Sequence, residues 1–296
     1  MENGKLYLVA TPIGNPGDMG ARGKAVLRVA DLVLCEDTRL TGLLFSELGI
    51  KANLMSYYEH NAEARHPLIL EKLADGATVA LVTDAGMPLI SDPGDRLVKL
   101  ALEHGIEISV IPGPNAALTT LAASGLSTAR FAFEGFLPAQ GKKRRERIEK
   151  LRGEERTMVL YEAPHRLRQT LTDLCQAGLG ARRLSIGREL TKRYEEYLYF
   201  TVEEANAYYA STVPRGEFTL VLEGKDEFEA GRAGAEDEPT TEELAKIDKL
   251  IRERLTTGER LRHIAREIAK LTGRPTNEVY ERALRIQGIK PEPPRL

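Results

Sequence analysis

The sequence predicts an α/β protein: a parallel-sheet N-terminal domain, a mixed-sheet α+β second domain, and an all-helical, helix-turn-helix-like module. Three observations predict it. Apolar runs and amphipathic stretches alternate through the first 113 residues. After Gly125 strands become frequent and long helices scarce. Beyond residue 240 the apolar period is helical throughout. Alternating strand and helix builds a mostly parallel sheet covered on both faces. The expected limits are 1–113, 114–224, an acidic linker over 225–240, and a helical module over 241–296.

In the first domain, apolar runs at 6–10, 32–35, 78–83 and 108–111 read as strands. Strands buried on both faces are continuous runs of this kind. Helical patterns lie at 21–30, 38–48, 62–74 and 94–104. Pro114 and Asn115 suit the entry of a helix near 114–124. In the second domain, strands are expected at Phe131–Leu137, Thr157–Tyr161, Leu184–Gly187, Glu196–Phe200 and Glu217–Leu222, with a basic helix at 142–152 and another from Pro164.

Residues 225–240 carry two basic and six acidic groups and no apolar periodicity, which reads as a linker. Beyond it, Leu244, Ile247 and Ile251 mark one helix face, Leu261, Ile264 and Ile268 a second, and Val279, Ala283 and Ile286 a third. Gly273 and Pro275 break the chain between the last two. Residues 241–296 carry thirteen basic and nine acidic groups. A basic helix-turn-helix-like module fits contact with nucleic acid. A helical cap or dimerisation module fits the same pattern.

The chain has 296 residues, 42% of them hydrophobic, with net charge −2. No apolar stretch is long enough to span a bilayer, and Met1–Lys5 lacks the order of a signal peptide. Two distant cysteines, Cys35 and Cys175, read as reduced thiols of a cytoplasmic protein. Five histidines without a Cys/His cluster give no expectation of a metal site.

Three glycine- and proline-rich loops follow strands: Thr11–Asp18, Asp84–Gly94 and Pro112–Ala117. Open α/β sheets bind ligands in the crevice at strand carboxyl ends, so the loops suggest one crevice. Neither a Gly-x-Gly-x-x-Gly fingerprint nor a P-loop is present. Asp84 can cap a turn or bind a ligand group, and Gly86 permits close backbone approach. Asp92 reads as a helix N-cap, with Pro93 at the first helical position. Glu36, Asp37 and Arg39 end the second strand on the same edge. They could orient or deprotonate a substrate, or Asp37 could cap a helix and pair with Arg39. His165 could titrate near neutral pH or only pack. Lys142, Lys143, Arg144, Arg145 and Arg147 form a basic run that could meet phosphates or stand as a solvated face.

Taken in order, Thr-Pro-Ile-Gly-Asn, Glu-Asp-Thr-Arg, Asp-Ala-Gly-Met-Pro-x-Ile-Ser-Asp-Pro-Gly, Pro-Gly-Pro, Gly-Phe-Leu-Pro and Ala-Pro-His-Arg resemble the tetrapyrrole methylase superfamily, over about residues 5–224. Ala10 stands where glycine often precedes the first string, and Ala163 where serine often precedes the last. Within the superfamily, the strings are similar to a branch acting on ribosomal RNA. The resemblance implies a tetrapyrrole-methylase-like fold with S-adenosylmethionine between two lobes. It implies cofactor contacts from Pro12, Ile13, Asp84, Ala85, Gly86, Met87, Ser91, Ala116, Ala117, Tyr161, Leu190 and Thr219. It also implies a homodimer that 2′-O-methylates a cytidine ribose in the decoding region of 16S ribosomal RNA, within the small ribosomal subunit. Asp37 is then the expected base, with Glu36 and Arg39 beside it. The basic run, His165 and Arg166 are the expected RNA contacts. Two rival readings stand beside this one: a methylase of the same fold acting on a corrin-type precursor or a modified protein histidine, and a non-enzymatic, metabolite-sensing helix-turn-helix protein.

Overall fold

A computed structural model describes residues 4–236, 241–256 and 258–288. The described residues form two compact units, divided between Phe228 and Glu229.

The first unit holds two five-stranded sheets. Strands β1 (Lys5–Val9), β2 (Leu32–Cys35), β3 (Leu54–Ser56), β4 (Thr78–Leu81) and β5 (Glu107–Ile111) make the first. Their order is β3-β2-β4-β1-β5, and every pairing is parallel. Helices α1 (Ala21–Val29), α2 (Thr38–Glu47), α3 (Ala62–Ala74) and α4 (Asp95–Glu103) make the crossovers. Alternate strand residues face opposite ways. Leu6, Leu32, Leu34 and Val79 therefore meet Ile69, Leu73 and Leu97 on one side. Val9, Val33, Cys35 and Ala80 meet Leu27 and Phe45 on the other. Strand β3 has no strong apolar run of its own, and the sequence pattern missed it.

Strands β6 (Phe131–Phe136), β7 (Thr157–Glu162), β8 (Arg183–Arg188), β9 (Glu196–Thr201) and β10 (Phe218–Leu222) form the second sheet. The order is β6-β7-β10-β8-β9. Only β6 and β7 run parallel, so the sheet is mixed, as expected. Helix α5 (Ala116–Ala123) covers one face, with Ala117 and Leu121 against Val159 and Val221. Helices α6 (Gly141–Gly153), α7 (Pro164–Leu174) and α8 (Val202–Ser211) lie against the other. Helix α8 was not anticipated. A capping box starts it, Thr201 accepting from the Glu204 amide while Glu204 accepts from the Thr201 amide.

The expected acidic linker is helical over Lys225–Glu236, here α9. Tertiary contacts hold its start: Glu227 accepts from the Ser127 amide and from Arg183, and Phe228 lies under the Arg182 guanidinium. High charge did not prevent a helix where those partners wait. Residues 237–240, the rest of that stretch, lie outside the described residues, as do 289–296 of the helical module.

The second unit contains α10 (Thr241–Thr256), α11 (Leu261–Thr272) and α12 (Thr276–Ile286) around Ile247, Ile251, Ile264, Ile268, Val279 and Ala283. Gly273 turns the chain between α11 and α12 at φ +72°, a conformation glycine adopts without a Cβ penalty. Arg282 grips Asp248 with both arms of its guanidinium. No helix among the described residues is long and apolar enough to cross a membrane.

Candidate active site

Parallel pairing brings the carboxyl ends of β1, β4 and β5 to one edge, and their loops are stitched together there. The Thr11 amide donates to Gly86 O at 2.9 Å, and the Gly86 amide returns a bond to Thr11 O at 3.2 Å. Thr11 Oγ1 donates to Thr83 O at 3.0 Å. Gly86 has φ +89°, and a Cβ there would lie 3.3 Å from Ile13 Cγ2. Leu89 and Ser91, at φ +70° and +72°, occupy left-handed backbone without being glycine. Such residues cost of order 1–3 kcal/mol each and persist where their surroundings over-determine them.

The second sheet supplies the facing wall through Phe136, Tyr161, Glu162, Phe218 and Thr219. The resulting cleft has a volume of about 370 Å³. Of the residues expected at the cofactor, Ile13, Asp84, Ala85, Gly86, Met87, Ser91, Ala116, Tyr161 and Thr219 line it. Pro12, Ala117 and Leu190 are buried and do not line it. Leu190 sits in a loop whose Thr191 Oγ1 accepts from the Asn15 amide at 3.0 Å, tying the second lobe to the first loop. Burial pushes the Tyr161 phenol pKa up, and its ring packs edge-on against Phe133. An apolar, aromatic wall opposite backbone amides and carboxylates fits a nucleoside carrying a positive centre.

The acidic edge adopts the capping arrangement, the alternative to a substrate-facing base. Asp37 does sit at the end of β2, but its carboxylate is engaged. It caps α2 by accepting from the Arg39 and Leu40 amides, and it receives both Nε and Nη2 of Arg39. These bonds lower its pKa to about 2. A carboxylate so held is a poor proton acceptor. Arg39 is correspondingly bound to Asp37, and Glu36 is exposed nearby with its pKa raised by burial and by Asp84. A depressed carboxylate pKa stabilises the fold above its ordinary value of 3.8, and that contribution disappears as pH falls through about 2. Asp37→Ala should therefore lower the melting temperature at pH 7, with the deficit closing toward pH 2. Thermal melts across that range check this, and a deficit independent of pH would contradict it.

Asp92 is not a helix cap. Helix α4 starts at Asp95 with Gly94, at φ +137°, in the cap position. A Cβ on Gly94 would lie 2.7 Å from Leu81 Cδ2, so the cap position has room only for glycine. Asp92 instead faces the cleft. Burial, then Glu36 and Asp84, raise its pKa to about 6. Its signal in the sequence was two prolines and two glycines within one loop, Gly86, Pro88, Pro93 and Gly94, too much punctuation for a simple helix entry.

The basic run divides. Lys142, Lys143 and Arg145 are exposed on α6, and His165 is exposed on α7. Arg144 is buried: Nε donates to Asp173 at 2.7 Å, Nη1 to Pro138 O at 3.1 Å and Nη2 to Thr170 Oγ1 at 2.8 Å. Thr170 in turn donates to Glu162, a buried carboxylate of the cleft wall. Arg166 donates to the Leu137 and Pro138 carbonyls and pairs with Glu162 at 3.4 Å. Arg147 is paired with Glu134. Arg144 is thus withdrawn from the expected RNA surface, because desolvating its guanidinium requires the internal acceptors that now hold it. Arg166 clamps the Gly-Phe-Leu-Pro string to the Ala-Pro-His-Arg string.

Strand-end loops closed by a second lobe define a two-lobed α/β enzyme that binds a small molecule between its sheets. This chain belongs to the tetrapyrrole (corrin/porphyrin) methylases, whose family model matches residues 5–206. It is accordingly an S-adenosylmethionine-dependent methyltransferase. It is similar to the ribosomal RNA small subunit methyltransferase I of Synechocystis, at 44% identity over 96% of this chain and 99% of that one. The protein of that name from Thermotoga maritima is 44% identical over 75% of this chain and all of its own length. Among solved structures, uroporphyrin-III C-methyltransferase from Thermus thermophilus complexed with S-adenosylhomocysteine shares the fold. It has a TM-score of 0.52 and 20% identity over 75% of this chain and 98% of that one.

Proposed function

We propose that this chain transfers a methyl group from S-adenosylmethionine to the 2′-hydroxyl of a cytidine ribose in the decoding region of 16S ribosomal RNA. The observation that carries the reading is the match to a ribosomal RNA methyltransferase along almost the whole of both chains. The cleft supports it: Gly86 leaves room beside Ile13 for a ligand to lie on backbone, and Asp84 supplies negative charge. When bound, the donor supplies an electrophilic methyl, and the protein's task is alignment. The Ile13 and Phe136 side chains present apolar surface to the ligand from opposite walls. Asp84, held by the Asp37 amide at 3.3 Å, presents a fixed acceptor to the ligand.

The exposed face of α6, with Lys142, Lys143 and Arg145, and His165 beside it in chain order on α7, is the RNA-facing surface in this reading. Phosphate contacts of this kind position RNA without reading its sequence. The acceptor is the small ribosomal subunit, and the enzyme acts as a homodimer. Mass spectrometry of ribosomal RNA nucleosides, with and without the chain, tests the assignment: a 2′-O-methylcytidine should appear only with it. A methylated base, or no new RNA nucleoside, refutes the reading.

The helical module adds basic charge to the same task. Deleting residues 241–296 should weaken RNA affinity about tenfold, a typical loss for one or two phosphate contacts, with donor affinity unchanged. Equal RNA affinity of the two chains in titrations at fixed salt would remove the module from substrate binding.

A further inference from the structure

A second chamber, of about 690 Å³, adjoins the donor cleft, and Ser91 and Asp92 belong to the lining of both. Its other walls include Glu36 after β2, His60 and His66 around the start of α3, and Arg96 on α4. Asp92 has no hydrogen-bond or ion-pair partner among the described residues, and its charged neighbours are the carboxylates of Glu36 and Asp84. The left-handed backbone of Ser91 holds it there, and Gly135 of β6 allows the second lobe to close within 3.3 Å of Ser91 Oγ measured from its absent Cβ.

We propose that this chamber receives the acceptor nucleoside and that Asp92, in the shared wall, is the general base for its 2′-hydroxyl. The proposal rests on reading the chain as a ribose methyltransferase. In-line displacement requires the acceptor oxygen opposite the sulfur, so the acceptor must arrive from a space that opens onto the donor cleft. A base must reach the proton of that oxygen within one hydrogen bond. Asp92 stands at the junction with both oxygens uncommitted, whereas Asp37 is bound by its own helix and by Arg39. The chamber also suits an unpaired nucleotide. His60 is exposed, edge-on to Tyr58 at 6.4 Å between ring centroids, and offers a stacking platform. Arg96, tethered to Glu63 at 2.6 Å, places a cation for the flanking phosphate.

In the step, the bond from O2′ to the methyl carbon forms as the carbon–sulfur bond breaks. The electron pair remains on sulfur, which becomes a neutral thioether. The O2′ proton moves to the Asp92 carboxylate and is later released to water. The groups facing Asp92 are Glu36 and Asp84 at the strand ends and Tyr161 across the cleft. His60, Arg96 and His66, whose ring bonds Tyr57 at 3.0 Å, stand across the chamber. The three carboxylates titrate as a set, and removing Asp92 identifies its share.

The test uses full-length Asp92→Asn on small ribosomal subunits lacking the modification. Donor affinity by calorimetry and subunit affinity should stay within about threefold, while the single-turnover rate falls about 10²–10⁴-fold. The melting temperature should rise, because a half-buried and repelled charge is gone. Wild-type kcat/KM for the donor should rise with pH through about 6 and level off, with no such inflection in the variant. His60→Ala should raise KM for the subunit and leave kcat unchanged. A retained rate in Asp92→Asn, or a donor affinity lost in proportion to rate, overturns the proposal while ribose methylation by the wild type still stands. Methylation of a base atom by the wild type overturns both. Should Asp92→Asn fail to fold, the wild-type pH profile and His60→Ala decide: no inflection near 6 and an unchanged KM overturn it.

Discussion

Arg144→Met should lower the unfolding free energy by about 3–5 kcal/mol, the usual loss when one partner of a buried ion pair is removed. Methionine fills the volume but carries no donor. Asp173 and Thr170 lose their Arg144 bonds, and the Pro138 carbonyl loses one of its two guanidinium donors. The damage should spread to the cleft, since Thr170 also holds Glu162 in its wall. Urea titration of the variant measures the first effect, and calorimetry with S-adenosylmethionine the second. A change below about 1 kcal/mol, coupled to lost RNA affinity, would return Arg144 to the binding surface. Removing Lys143, exposed one position earlier, should leave stability within about 0.5 kcal/mol, as surface substitutions do.

Gly86→Val should raise the donor Kd at least about hundredfold, which is about 2.8 kcal/mol. Two costs combine. A β-branched residue at φ +89° is strained by about 1–3 kcal/mol. Its Cβ would crowd Ile13 Cγ2, 3.3 Å away, across the floor of the cleft. The loop cannot yield freely, because Gly86 is bonded through both its amide and its carbonyl to Thr11. Gly86→Ala should show a smaller loss in the same direction. If calorimetry of Gly86→Val gives wild-type affinity, the donor does not lie on this loop.

Much of the cleft was legible because it is made of punctuation. Glycine and proline after apolar runs mark strand ends, and parallel strands send all their carboxyl ends to one edge. Seven expected cofactor contacts, Ile13, Asp84, Ala85, Gly86, Met87, Ser91 and Ala116, line one cleft for that reason, and Tyr161 and Thr219 face them from the second sheet. The failures have a common cause too. Asp92-Pro93-Gly94 has the composition of a helix start, but the turn extends to Gly94, where Leu81 leaves no room for a side chain. Arg144 and Lys143 read alike in a charge run, yet one faces Asp173 and the other water. Residues 225–240 read as a linker, yet Lys225–Glu236 form a helix, with Phe228 under Arg182 and Glu227 bound to Arg183.

Local chemistry in the chain was therefore enough to specify most of the strands, where their loops turn, and that the carboxyl edge of the first sheet presents a ligand crevice. Those properties depend on neighbours a few residues apart, so they survive in a one-dimensional string. Which carboxylate is left without a partner depended on the packed molecule. Asp37 found its donors two and three residues away, whereas Asp92 was set by burial, by Asp84 earlier in its own loop, and by Glu36, brought to it from the end of another strand. Proton affinity follows from burial and from charges close in space, and distance in space is what folding creates.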